Sequence, residues 1–310
     1  MFFHQTYGLN IQSEFLLPEL IKSDNQPDIY IQKAKVKLPT LETTTIQRQG
    51  KEAYFGGNTQ EAYLRWEGVT TFLAKNGDTL IVNPDSDHIN PQLLSLYILS
   101  EALGLILYQR GFFLLHASAV KIGEQVVIFA GPPGAGKSTT AAAFAKCGYT
   151  VLADDMVAIK LDATGKAMVV PGFPQIKIWP STARGLDYNL SALPTLFPGS
   201  RKRVIRQIEN FPVKHFPLTH MFILGEGENL KITPMEGTEA FFNLTRFFPL
   251  PSSILQGNAR ERHLQECIQL LREVDIWQLE NPQNFQTIKQ VVNGVEKKLN
   301  INQNQHKVLA

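Results

Sequence analysis

Residues 116–160 read HASAVKIGEQVVIFAGPPGAGKSTTAAAFAKCGYTVLADDMVAIK, and the fold turns on them. At their centre Gly131, Pro132, Pro133, Gly134, Ala135, Gly136, Lys137 and Ser138 spell Gly, four residues, Gly, Lys, Ser, the complete phosphate-loop pattern. In front of it, residues 126–130 (VVIFA) form a short apolar, β-branched run suited to a buried strand. Behind it, residues 139–146 are Ala-rich, with Phe144 the only large apolar side chain, and read as a helix. A chance Gly/Pro turn would give the same loop letters, but it would not supply a strand and a helix on its two sides.

The pattern has a chemical reason. Gly134 and Gly136 let the backbone turn back on itself, so successive N–H groups point inward at a polyphosphate. The positive end of the following helix adds to that field. Lys137 can neutralise the outer phosphates, and the hydroxyls of Ser138 and Thr139 stand at the helix start, Ser138 placed to ligate Mg²⁺. The loop implies a nucleoside triphosphate, bound by Gly131 through Thr139. Downstream, Gly148 ends the helix and residues 149–153 form a strand that closes on Asp154-Asp155. Carboxylates at that edge of a strand are where a magnesium ligand or a general base would sit. A turn-forming Asp pair is the plainer alternative. Adjacent side chains on a strand point opposite ways, so the two need not share one role.

With 310 residues the chain can hold one large domain or two ordinary ones. A hydrophobic content of 44%, a charged content of 19% and a net charge of +2 describe a globular protein with no global pull toward nucleic acid or membrane. Two cysteines, Cys147 and Cys267, are too few for a disulfide framework or a zinc site, which suits a cytoplasmic protein. The opening Met-Phe-Phe-His lacks the basic region and apolar core of a signal peptide. The most hydrophobic segment, 93–108, is short for a bilayer, carries Glu101 and reads as a core helix.

Residues 1–90 read as strands and turns, a β-rich N-terminal domain serving substrate docking, assembly or structural cover. Residues 91–300 then form the loop-bearing domain: a helix over 91–108, one strand over 112–122 that places His116 on or near it, the loop unit, strands at 156–161 and 168–173, and a short helix at 181–186. Residues 189–200, with two prolines and a glycine, read as a loop leading into Arg201-Lys202-Arg203. Such a basic run is either a solvated face or a clamp on a transferred phosphoryl group. A strand at 218–225, helices at 236–248 and 258–274, a strand at 276–279 and a helix at 285–299 complete the unit before a polar tail, 301–310.

The constellation of His116, GPPGAGKS at 131–138 and KCGYTVLADD ending at Asp155 resembles the C-terminal domain of bacterial HPr kinase/phosphorylase. Gln109 to Gly111, Leu115 to Val120 and Pro171 to Pro174 resemble more specifically the HPr-kinase-like serine kinases of bacterial peptide-modification clusters, such as those making lasso peptides. The resemblance implies an α/β (mixed α+β) fold, with a P-loop kinase core of the HPr kinase/phosphoenolpyruvate carboxykinase type behind the β-rich domain. It implies ATP and Mg²⁺ as cofactors and transfer to a serine hydroxyl of a small protein or peptide, with a homo-oligomer left open. By position Asp155 corresponds to the catalytic base and His116 to a catalytic histidine. Lys137 and Ser138 correspond to the phosphate and magnesium residues, and Asp154 and Asp155 to the metal side. Beside two carboxylates and a polyphosphate, His116 is expected to favour its charged form, or else to be a satisfied core histidine. The stretch 174–177 departs from the family: Gln175 stands where it has a metal-binding glutamate and Lys177 where it has arginine. That speaks against the reverse, phosphorolytic reaction and against HPr itself as acceptor. A nucleotide-dependent regulatory module without transfer, or a small-molecule kinase or NTPase, is the alternative function.

Overall fold

The computed structural model describes residues 1–282 and 284–299; the polar tail expected at 301–310 lies outside them. Nine strands come first: β1 (Phe2–Thr6), β2 (Leu9–Ser13), β3 (Ile21–Lys22), β4 (Ile29–Lys33), β5 (Glu42–Arg48), β6 (Lys51–Gly57), β7 (Glu61–Trp66), β8 (Thr70–Lys75) and β9 (Thr79–Pro84). They make one sheet in the order β3-β1-β2-β4-β9-β8-β7-β6-β5, antiparallel except where β4 pairs in parallel with β2 and β9. Strands β2 and β7 alternate buried and half-buried residues, so one face of the sheet carries the apolar side chains.

That face is covered by the apolar helical segment. Asn90 caps it, its side chain accepting from the N–H groups of Gln92 and Leu93, and Pro91 fills the first position. It runs as α1 (Pro91–Tyr97), a π-helical stretch Ile98–Ala102, and α2 (Leu103–Gln109). Pro91–Gln109 is long and apolar enough to cross a membrane, but 78% of it is buried inside the protein. One side packs on Trp66, Phe72 and Leu80 of the first sheet, the other on Leu114, Met156 and Ala158 of the second, in one continuous core. The sequence predicts an unbroken helix here. Instead the turn is opened at Ser100 (φ −103°, ψ −126°), whose hydroxyl donates to the Leu96 carbonyl.

The remaining strands are β10 (Phe113–Leu115), β11 (Ala117–Ile122), β12 (Gln125–Ala130), β13 (Thr150–Asp154), β14 (Val157–Leu161), β15 (Ala167–Val170), β16 (Gln175–Ile178), β17 (Arg203–Arg206), β18 (Phe216–Glu226), β19 (Lys231–Pro234) and β20 (Asp275–Asn281). The helices among them are α3 (Lys137–Lys146), α4 (Pro180–Gly185), α5 (Gly237–Arg246), α6 (Asn258–Glu273) and α7 (Ile288–Lys298). The second large sheet runs β10-β14-β15-β18-β12-β11-β13, with β20 against β18 and β19 against β20. It is mixed: β12, β18 and β20 are parallel neighbours, while β11 is antiparallel to both β12 and β13. Val127 and Phe129 of β12 pack with α3 and α7, and Val126 and Ile128 with α5 and α6, which is why this strand is apolar at every position after Gln125. The Ala-rich face of α3 lets the helix lie close to the sheet, with Phe144 wedged against Phe129. The protein is therefore a mixed α/β molecule built on two large mixed sheets. The short ribbon of β16 and β17 stands apart from both.

Candidate active site

The loop leaves β12 at Gly131 and is tightened by the Ala135 N–H donating to the Pro132 carbonyl at 3.1 Å. Gly134 (φ 86°) and Gly136 (φ 93°) adopt the left-handed conformation that glycine takes without strain. Helix α3 begins at once with Lys137. The lysine is only 8% exposed, and its ammonium folds back to donate to the carbonyls of Gly131 at 2.8 Å and Pro132 at 3.1 Å. Burial lowers its pKa against the opposing pull of Asp155 and Asp154.

Asp154 ends β13, separated from β12 by β11. The register pairs it with Ser118 of β11, a small, fully buried polar residue, and this is how it reaches the loop. Its Oδ1 accepts from Ser138 Oγ at 2.8 Å and from Ser118 Oγ at 2.7 Å, and its Oδ2 accepts from the Lys177 N–H at 2.9 Å. Burial, and then the neighbouring Asp155 charge, raise its pKa.

Asp155 points elsewhere. Its backbone is left-handed (φ 81°), a conformation that Asp tolerates better than most residues. That twist sends the carboxylate to the ammonium of Lys177 and the carbonyl to His116, whose Nδ1 lies 2.9 Å away. Burial alone would raise the Asp155 pKa. The charges of Lys177 and Arg48 outweigh it and hold the group well below the usual carboxylate range.

His116 sits at the break between β10 and β11 rather than within a strand, its N–H donating to the Phe247 carbonyl at 2.7 Å. A carbonyl can only accept, so Nδ1 carries the proton toward Asp155. Contrary to the expected charged form, the pKa is lowered, first by burial and then by Lys137, with Asp155 opposing. Neutral His116 therefore presents an Nε2 lone pair.

His116, both aspartates and the first three residues of the loop line one cavity of about 290 Å³, whereas Lys137 and Ser138 are not among its lining residues. Gly131, Pro132, Pro133, His116, Asp154, Asp155 and Lys177 form one wall, and Tyr7, Gln47, Arg48 and Glu101 belong to another. Arg48 grips Glu101 in a fork, Nη2 to Oε1 at 2.7 Å and Nε to Oε2 at 3.2 Å. Burial works against the Arg48 charge, but Glu101 more than offsets it and raises the guanidinium pKa. The π-helical stretch holds both Ser100 and Glu101 at the cavity. Tyr7 donates its hydroxyl to the Met156 carbonyl at 2.9 Å. Sequence reasoning assigned no role to Arg48, Tyr7, Ser118 or Glu101. The one available signal was Glu101 itself, a lone carboxylate in an apolar helix that requires a cation. Lys177, noticed only as a departure, contacts both aspartates, while Gln175 is buried one turn of the strand earlier.

Arg201, Lys202 and Arg203 are not among the residues lining this cavity. Arg203 begins β17, whereas Arg201 and Lys202 lie over the Trp179 ring. Thr139 also turns away, its hydroxyl 3.1 Å from that of Thr182 in α4. The segment 189–200 is irregular as expected, but Leu196 buries itself against Leu96 and Val204.

No group of three or more His, Cys, Asp or Glu side chains gathers at one point among the described residues. Ser138 and Asp154 instead offer a hydroxyl and a carboxylate oxygen side by side. That partial, all-oxygen set suits magnesium, which keeps waters and takes its other ligands from phosphate.

No family model matches the chain, and no curated protein matches it. Among solved structures a weak neighbour is the Hpr(Ser) kinase/phosphatase from Coxiella burnetii: 13% identity, a TM-score of 0.32, 60% of this chain and 98% of that chain covered. A likeness at that level carries no argument about this chain.

Proposed function

We propose that the protein is an ATP-dependent kinase that transfers the terminal phosphoryl group to a serine hydroxyl of a small protein or peptide in the cytoplasm. The observation that carries the reading is the shared cavity: the start of the phosphate-pattern loop (Gly131, Pro132 and Pro133), Asp155 and His116 open onto one space. The loop at 131–138 holds the triphosphate through its N–H groups and Lys137, which exchanges two carbonyl partners for phosphate oxygens. Ser138 and Asp154 would hold magnesium, which when bound supplies positive charge to the phosphates.

Asp155 receives the hydrogen bond of the acceptor hydroxyl. As the new oxygen–phosphorus bond forms, the bond to the bridging oxygen of ADP breaks and its electron pair leaves with ADP. The hydroxyl proton passes to the Asp155 carboxylate. A carboxylate of low basicity suits this role, because phosphoryl transfer runs through a loose transition state in which positioning matters more than early deprotonation. Lys177 stands beside the transferred group, and His116 fixes the Asp155 backbone through its carbonyl.

A second reading, a nucleotide-dependent module without transfer, is favoured by one observation: Lys177 occupies the Asp155 carboxylate, and Gln175 supplies no metal-binding charge. Incubation with γ-labelled ATP and magnesium separates the two. Label on a serine-containing peptide or small protein supports the kinase. Label released only as phosphate, or tight binding with no release, supports the alternative.

A further inference from the structure

The ribbon of β16 and β17 has a feature that the cavity does not use. Its register sets Lys177 opposite Val204 and Ile178 opposite Arg203. The residues flanking that last pair, Trp179 on one strand and Arg201-Lys202 on the other, are thereby brought together. Trp179 is 48% exposed, whereas Trp66 is fully buried. The Arg201 guanidinium carbon stands 5.5 Å from its ring centroid and the Lys202 ammonium 5.2 Å. Neither cation pairs with a carboxylate among the described residues. A half-exposed indole with two unpaired cations over its ring matches a ligand that is both aromatic and anionic, one whose base takes the ring as the cations turn to its phosphates.

Its place relative to the loop is fixed by three contacts. Two residues before Trp179, Lys177 contacts both aspartates. One turn after it, the N–H of Ala183 donates to the Trp179 carbonyl at 3.1 Å, and the neighbouring Thr182 meets Thr139 at the start of α3. Lys202 is also near enough to Lys137 for its charge to depress the Lys137 pKa. A triphosphate with its outer end at Lys137 and the cavity runs past Ser138 and Thr139 toward α4, where its nucleoside emerges. We infer that Trp179 is the stacking platform for the donor nucleobase, with Arg201 and Lys202 facing the phosphate and sugar nearest to it. The inference rests on the triphosphate reading of the loop. It adds a specificity: stacking reads a π-face rather than hydrogen-bonding edges, so ATP and GTP bind about equally well.

The test titrates the full chain, with magnesium, against ATP, GTP and inorganic tripolyphosphate, following heat and tryptophan fluorescence. ATP and GTP quench the wild type and bind within about threefold of each other. Trp179→Ala weakens ATP about tenfold, Trp179→Phe by less than about threefold, and neither changes tripolyphosphate affinity. Unchanged ATP binding by Trp179→Ala overturns the platform alone. So does an equal loss for tripolyphosphate, or an effect confined to the KM of the acceptor. A wild type that binds neither ATP nor tripolyphosphate overturns the loop reading, and the platform with it.

Discussion

The two walls of the cavity hold their charges by different means. On the loop wall and directly behind it, Asp154 and Lys137 are fixed largely by short hydroxyl, N–H and carbonyl contacts within residues 116–177. On the sheet wall, one forked ion pair joins β5 to the π-helical stretch: Arg48 and Glu101, with side chains 18% and 11% exposed. The first arrangement keeps its geometry when a single charge is removed, because other contacts remain. The second depends on two partners, and losing either strands a half-buried charge. Substitutions on the loop wall should therefore alter ligand binding and chemistry, and those on the sheet wall should alter stability as well.

The largest effect is expected from Lys137→Ala. Calorimetry should show ATP affinity falling at least about a hundredfold, roughly 3 kcal/mol, with the melting temperature nearly unchanged. If ATP still binds normally, the loop is not a phosphate site. Asp155→Asn is next: asparagine accepts the left-handed backbone, so the fold and ATP affinity persist while turnover drops about 10²- to 10³-fold. Full activity in this variant together with an inactive Asp154→Asn would exchange the roles of the two carboxylates.

Arg48→Ala probes the other wall. It should cost roughly 2–3 kcal/mol in denaturant unfolding, partly recovered in the Arg48→Ala/Glu101→Ala double variant. ATP affinity should hold while the KM of the acceptor rises. A variant as stable as the parent would remove the distinction between the walls.

The smallest effect concerns the seam between them. His263 of α6 stacks on Phe113 at 5.1 Å and lies 4.9 Å from Phe248, a cavity residue. Burial, with a contribution from Arg262, pulls its pKa down to about 4. Between pH 6.5 and about 4 the unfolded chain binds more protons at this site, so stability falls as pH falls through that window. His263→Phe should flatten this slope by at most about 3 kcal/mol across the window, read from urea midpoints at several pH values. An unaltered slope would assign the acid sensitivity to the other buried histidines, His4 and His116 among them.

The same division governs what could be read without coordinates. Gly134, Gly136, Lys137, Ser138 and Asp154 act through neighbours close along the chain or across one strand, so motif and periodicity located them. Arg48 reaches Glu101 across 53 residues, and β5, which carries it, is a polar strand with no buried residue to mark it. Strand β17 was hidden in a basic run with only Val204 and Ile205 to mark it. The sequence predicts a charged His116, whereas burial, a tertiary quantity, outweighs Asp155 and lowers its pKa.

The resting position of Lys137 also bears on discrimination among anions. Its ammonium already has two carbonyl oxygens, at 2.8 and 3.1 Å. An arriving ion must displace those dipoles and bring enough oxygens to engage the loop N–H groups at the same time. On the triphosphate reading proposed above, the lysine is thus a threshold that favours anions able to replace both carbonyl contacts at once.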